Sequence, residues 1–369
     1  MSTSWVHTGY AQRVHFGAGA LDLLPGIVRD LGARRVLVVS TAGRLESPDG
    51  VRLVARLDRA VASTFGGVRS HVPASAVQAA MLQARRDGVD GIVSFGGGSC
   101  MDLGKAVSYF MEVEAGTPGA SYTDRPALLH VAVPTTYSGA ELTPTFGVTD
   151  DRTRAKSGGG GPTTAPVAVV YDPVLTLSTP SQVSAETAMN ALAHCIEATY
   201  ATRRSPEAEA IALAGADRIV RSLPAVVDEP DDIEARTALL EGSALAGRAL
   251  ENASMGVHHG LAQLLGARAE ISHGLANALL LPHAMRFNAE VAPAEMARLG
   301  AVLGDPADPA AAVARLAARA GLPATLGEVG VSEEDLDAVA RLSQSSVAVR
   351  ANPRPVSEED ARAILAAAS

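Results

Sequence analysis

Cysteine is nearly absent from this 369-residue chain: the two, Cys100 and Cys195, build no disulfide framework and suit a reducing compartment. Aromatic residues make up only 4%, so the core must be filled by Ala, Val and Leu rather than by rings. Lysine stands only at positions 105 and 156. No basic run offsets the formal net charge of −9, which argues against nucleic acid as a partner. No apolar run approaches the roughly 20 residues a membrane helix needs. The first eight residues lack the basic segment and apolar core of a signal peptide, so the cytoplasm is the expected location. With 47% hydrophobic and 19% charged residues, the chain is globular and long enough for one large or two ordinary domains.

Short β-branched runs alternate with helical spacing through the first half. Runs at 35–40, 91–95 and 128–133 read as buried parallel strands, with an edge strand at 10–16, another strand near 68–72 and a last one at 165–173. Helices are expected at 21–31, 50–64, 75–88 and from the glycines at 96–98 to Phe110. This alternation predicts an α/β N-terminal domain with a Rossmann-like doubly wound sheet over residues 1–175. After Pro180 the texture changes to helical segments rich in Ala and Leu, which predicts an all-α C-terminal domain over 176–369. Gly158–Gly161 is expected to be a flexible loop.

Gly96-Gly97-Gly98-Ser99 follows a strand and opens a helix. Such a turn lets the backbone approach a phosphate while the helix N-terminus offers free N–H groups. A plain strand-to-helix turn would use glycines too, and the spacing is not the G-x-G-x-x-G fingerprint. Gly97, Gly98 and Ser99 are candidate contacts for a dinucleotide, with Asp102 in the first turn as a cap or a ribose ligand. Thr135, Thr136 and Ser138 follow the next strand and offer hydroxyls to the same cofactor; Ser138 with Glu141 is equally a capping box. Lys156 is a candidate for a ribose or substrate oxygen, or a solvated surface residue. No acid stands at the end of the run at 35–40, where one would bind the adenosine ribose. Thr41 and Arg44 stand there instead, so NADPH is admissible beside NADH.

The second candidate group is built on histidine. His258, His259, His273 and His283 crowd into 28 residues, and His194 lies upstream. Asn190 and His194 are four apart and share a helix face, as do His259 and Gln263. His194, His259 and His273 are expected to converge as the catalytic group. With Asn190 they form a candidate site for a divalent metal, iron or zinc. The neutral amide equally suits a vacant site whose histidines handle substrate and protons directly. His258 and His283 are assigned supporting roles.

These motifs together resemble the iron-containing (group III) alcohol dehydrogenase superfamily over nearly the whole length. The resemblance is carried by Gly17-Ala-Gly19, Gly96-Gly-Gly-Ser99 with Asp102 and Lys105, and Pro134-Thr-Thr136 with Glu141. Tyr171-Asp-Pro173, Met189 to Glu197, His259-Gly260, His273 to Asn277, Pro282-His283 and Asn352-Pro-Arg354 complete it. It implies a dehydroquinate synthase-like fold and a homodimer. Asn190 and Gln263 stand where the alcohol dehydrogenases carry Asp and His, and the surrounding residues are most similar to the maleylacetate reductase branch. That branch reduces maleylacetate to 3-oxoadipate with NADH or NADPH in aromatic-compound degradation. The resemblance implies an anionic unsaturated oxo acid as substrate; where that branch carries loop arginines this chain departs, offering Lys156 with Arg152 and Arg154 just before it and Arg248 and Arg286 from the helical half as the cations to meet it. A metal-dependent alcohol or aldehyde dehydrogenase is the alternative on the same scaffold, and a non-redox lyase of the dehydroquinate synthase type a lesser one.

Overall fold

The computed structural model describes residues 5–121, 124–153 and 156–369. Two compact units divide them. The first comprises Gly9–Thr136 and Ala140–Thr179; the second comprises Pro180–Ser369 with residues 5–8 and Tyr137–Gly139. The chain therefore passes from the first unit to the second at Thr179/Pro180 rather than after residue 175, and three residues beyond Thr136 join the helical unit.

The first unit is built on strands β1 (Arg13–Phe16), β2 (Val36–Val39), β3 (Val61–Phe65), β4 (Gly91–Gly96), β5 (Leu129–Pro134) and β8 (Ala168–Tyr171), with a hairpin of β6 (Thr145–Thr149) and β7 (Lys156–Gly160). Its helices are α1 (Leu24–Asp30), α2 (Ala42–Glu46), α3 (Pro48–Leu57), α4 (Ala74–Arg86) and α5 (Gly98–Glu114). The sheet is parallel throughout in the order β1-β8-β5-β4-β2-β3. Strands β2, β4, β5 and β8 are buried along their length, as continuous apolar runs require between two helical layers. The Asp172 carboxylate accepts from the amides of Gly19, Leu21 and Val174, tying the end of β8 to the turn after β1.

Two local expectations need correction. The strand after α3 is Val61–Phe65, not 68–72. Asp58, at φ 46°, ends the helix early, and His71 and Val72 have φ of 61° and 47°, which no strand tolerates. Gly158–Gly160 lies in β7, not in a loop. Glycine is needed there because a Cβ on Gly159 would stand 2.5 Å from the Phe146 ring that crosses it. That ring is held by Tyr109 and Phe110, at centroid distances of 5.4 and 5.8 Å.

The second unit is helical: α6 (Ser181–Tyr200), α7 (Pro206–Asp228), α8 (Ile233–Glu251), α9 (Val257–Ala269), α10 (His273–Asn288), α11 (Pro293–Leu303), α12 (Pro309–Arg319), α13 (Glu333–Ser343), α14 (Val347–Arg350) and α15 (Glu358–Ala367). Helix α6 is buried on nearly every face, consistent with its Ala-rich sequence. One core binds α9 and α10 to α13 and α15 through Leu261, Leu265, Leu280, Val339 and Leu365. Asn352 closes the start of α9: its Oδ1 accepts from Val257 N and from Asn288, and its amide donates back to Asn288 and to Arg354 O. Among the described residues no helix is long and apolar enough to cross a membrane.

Candidate active site

Three helices of the second unit bring the histidines together. His194 lies on α6, His258 and His259 open α9, and His273 opens α10. The His194 and His259 rings stack, with centroids 4.7 Å apart and planes 17° apart, and His273 stands 6.2 Å from His259. The three residues expected to converge do so. Gln263 is exposed, and His283 is only half-buried.

The order of the network follows from fixed donors and acceptors. The His258 Nε2 faces the Asn277 carbonyl at 2.9 Å, so it carries the proton, and its Nδ1 is left as an acceptor. That Nδ1 lies 3.3 Å from His259 Nδ1, which in turn lies 2.7 Å from Glu197 Oε2. Both neighbours of His259 Nδ1 are acceptors, so Nδ1 bears a proton. Glu197 also accepts from the backbone amides of His258 and His259 and is 1% exposed. Burial raises its carboxyl above the usual range, opposed by His258 and these amides. Burial drives His258 down to about 4, and His259 adds to the fall. His194 is held well below the ordinary imidazole value, first by burial and then by His259 and His258; its Nδ1 is buried with no hydrogen-bond partner. His194 and His258 are both held neutral by burial beside the Glu197–His259 pair.

Asn190 is locked beside it. Its Oδ1 accepts from Asn277 Nδ2 at 2.9 Å, and its Nδ2 donates to Ser138 O at 3.3 Å. Asn277 Nδ2 also donates to His273 O, so one side chain ties α6, α10 and the 137–139 segment together. Neither Glu197 nor Asn277 was singled out from the sequence. The available signal was spacing: Glu197 is three residues past His194, and Asn277 is four past His273, each on the same helix face.

Does this arrangement hold a metal? Ligands on one ion lie about 2.0–2.2 Å from it, so any two are at most about 4.4 Å apart. Among the described residues, the one group of three His, Cys, Asp or Glu whose ligand atoms lie within 4.8 Å of one another is Glu197, His258 and His259. Their contacts are hydrogen bonds that already use Glu197 Oε2 and both Nδ1 atoms. His194, His259 and His273 do not approach that closely, and the Asn190 oxygen is engaged. Glu197, His258 and His259 are thus a candidate metal site whose ligand atoms are hydrogen-bonded to one another as arranged, and no step below runs through a metal.

In the first unit, Gly97 is the extended N-cap of α5, with no side-chain cap, so the helix opens with unsatisfied amides beside Gly98 and Ser99. Thr135 and Thr136 follow β5, and both Oγ1 atoms are buried without a partner. A Cβ on Gly97 would come 3.2 Å from the Thr136 methyl, so glycine keeps this approach open. The cradle fits a dinucleotide: bare amides at the start of α5 and two orphaned hydroxyls beside them. Asp102 lies past the first turn and is no cap. Its carboxylate binds Lys105 at 2.9 Å and accepts from Gly147 N. Lys156 crosses Gly147, with its amine held below the ordinary value by burial against the pull of Asp102. Ser138, two residues past Thr136, groups with the helical unit, where its carbonyl accepts from Asn190. Of the cations expected for an anionic substrate, Arg248 pairs with Glu251 and Arg286 faces Asp308. Arg152 is exposed, and Arg154 lies outside the described residues.

Comparison with known proteins agrees with this division. The family description "Iron-containing alcohol dehydrogenase" matches residues 11–173, and "Fe-containing alcohol dehydrogenase family, C-terminal" matches residues 184–369. The chain is 36% identical to maleylacetate reductase of Rhizobium sp. strain MTP-10005 over 361 residues, covering 98% of this chain and 96% of that one. It is 37% identical to maleylacetate reductase 1 of Cupriavidus pinatubonensis over 351 residues, covering 95% and 92%. The crystal structure of maleylacetate reductase from Agrobacterium tumefaciens superposes with a TM-score of 0.87 at 34% identity, covering 99% of this chain and 98% of that one. The chain belongs to the iron-containing alcohol dehydrogenase family.

Proposed function

We propose that this oxidoreductase is an NAD(P)H-dependent reductase of the maleylacetate type, acting on a carbon–carbon double bond conjugated to a ketone in an anionic oxo acid. Full-length similarity to maleylacetate reductases supports the reaction class. The observation that carries the chemistry is the Glu197–His259 pair, in which a buried carboxylate accepts from the imidazole at 2.7 Å.

Gly97, Gly98 and Ser99 receive the cofactor's pyrophosphate on the opening amides of α5, while Thr135 and Thr136 offer their hydroxyls to it. Bound there, a reduced nicotinamide supplies the hydride. The alkene carbon β to the ketone accepts it and becomes saturated, and the electron pair of the double bond passes to the neighbouring α carbon and the carbonyl as an enolate. His259, protonated at both nitrogens and balanced at Nδ1 by Glu197, stabilises that negative charge and gives up the Nε2 proton to the neighbouring carbon. His194, kept neutral, presents a polar ring without competing for the proton. His273 completes the group at the start of α10. Such proton delivery contributes about 10²–10⁴-fold.

Replacing His259 by Ala should lower kcat by about 10²-fold or more while NADH still binds. A His259→Ala enzyme with unimpaired kcat would overturn the assignment. A homodimer in the cytoplasm belongs to the same proposal. The exposed Val14 and Phe16 on edge strand β1 support a covered edge, and light scattering tests the assembly.

A further inference from the structure

We propose that Arg44 is the cation that binds a phosphate of the dinucleotide, an inference that rests on the cofactor cradle described above. Arg44 stands at the carboxyl end of β2, in α2, where Thr41 caps the turn by accepting from the Arg44 amide. Its side chain turns inward across the sheet's carboxyl edge. The guanidinium carbon lies 5.9 Å from the Phe95 ring, and Phe95 immediately precedes Gly96 and Gly97. Burial holds the guanidinium below its ordinary value, with Asp49 and the Cys100 thiol in the first turn of α5 opposing the shift.

Its hydrogen bonds leave it available. Nη1 donates to Ser178 Oγ at 2.6 Å and Nη2 to Thr179 Oγ1 at 3.2 Å, both neutral hydroxyls. A guanidinium has five N–H donors in a rigid fork, so three are uncommitted, and no carboxylate lies within 4.0 Å of it among the described residues. The nearby acid is spoken for: Asp49 accepts from Ser178 at 3.1 Å and faces Arg52. The neighbouring hydroxyls continue to the cradle, since Thr179 Oγ1 donates to Thr135 O at 2.7 Å and Thr135 carries one of the orphaned buried hydroxyls.

The other cations of this unit near the cradle are occupied. Lys105 is fully buried among Asp102 and the carbonyls of Ala140 and Thr145, and Lys156 faces Asp102. A helix N-terminus supplies only about half a positive charge, whereas a pyrophosphate carries two negative ones. A half-buried arginine on a hydroxyl shelf, oriented by two bonds and with its remaining donors free, is the complement that such a ligand lacks. Two phosphates could be its ligand: the pyrophosphate common to NADH and NADPH, or the 2′-phosphate of NADPH alone, whose place is the end of the second strand.

The test is direct binding of NADH and NADPH to the full chain by fluorescence titration, for the wild type, Arg44→Gln and Arg44→Lys, across a range of salt. The expected result is that Arg44→Gln weakens binding by about 10- to 100-fold, as loss of a charge-assisted contact does. It should also flatten the salt dependence, and Arg44→Lys should recover part of both. A loss equal for NADH and NADPH assigns the pyrophosphate; a loss confined to NADPH assigns the 2′-phosphate. Dissociation constants within twofold of wild type for both cofactors in Arg44→Gln would overturn the inference. So would a loss that Lys does not recover and salt does not modulate, since that pattern marks a structural role. If the wild type binds neither dinucleotide, the reductase reading itself fails.

Discussion

Glu197→Gln isolates what the carboxylate does for His259. Glu197 accepts from three donors: the amides of His258 and His259 at 3.1 and 3.4 Å, and His259 Nδ1 at 2.7 Å. Glutamine has the same shape but only one oxygen. If that oxygen stays on the His258 amide, its NH2 group takes the place of Oε2 and faces His259 Nδ1 as well as the His259 amide, and the imidazole must surrender the Nδ1 proton to avoid two opposed donors. The neutral ring then carries its proton on Nε2 with no carboxylate to balance an imidazolium. The loss is that of a hydrogen bond to a charged group, about 1.5–3 kcal/mol, or roughly 10- to 150-fold in rate at about 1.4 kcal/mol per decade. It should fall on kcat with a reduced oxo acid as product, because the bond matters when His259 is charged, and leave the dissociation constant for NADH unchanged. Glu197→Asp keeps the charge and should recover part of the rate, which a purely steric role would not allow. The assay is NAD(P)H absorbance with maleylacetate at saturating cofactor, with thermal unfolding as the check on integrity. A folded Glu197→Gln enzyme with kcat within twofold of wild type would refute the pairing.

Two further outcomes follow from the same geometry. Since Glu197 Oε2 and the His258 and His259 Nδ1 atoms bind one another and the Asn190 oxygen binds Asn277, prolonged chelation should leave maleylacetate reduction intact, with elemental analysis showing less than stoichiometric iron and zinc; loss of activity restored by either ion would favour the metal-dependent dehydrogenase reading. His130, buried on β5 against Ser94 at 2.7 Å, is driven down to about 3, mainly by burial and then by Lys105, so it stays neutral in the fold while the unfolded chain titrates near the ordinary imidazole value of about 6.5. Its contribution is present above that pH and is lost as pH falls toward the folded value. Between pH 6.5 and 4.5 it should cost on the order of 2 kcal/mol, read as a steeper fall in unfolding temperature than in His130→Gln.

How much of this could be read from the sequence depends on whether the interaction is periodic or not. Strands β2, β4 and β5 and the long helices announce themselves because a buried apolar run or a helical face repeats along the chain, and the parallel α/β architecture follows. The β6–β7 hairpin does not, because its signal is an absence. The glycines from 158 read as slack until the Phe146 ring is seen lying across Gly159 and the Pro144 carbonyl pressing on Gly160. The histidine group shows the same split. His259 and His273 were findable as residue types at glycine-flanked helix starts, and His194 by its spacing from Asn190 on one helix, and their rings do meet. What decides their chemistry was not findable that way. The Asn277 carbonyl that fixes the His258 proton is a main-chain atom, and Ser138, read as a cofactor hydroxyl, acts through its own carbonyl on Asn190. Main-chain acceptors leave no mark in residue identity. An Asp at 190 would set a carboxylate oxygen against that Ser138 carbonyl, whereas the amide donates to it and accepts from Asn277. The Asn that looked like a weakened metal ligand is, in this fold, the residue that its two neighbours require.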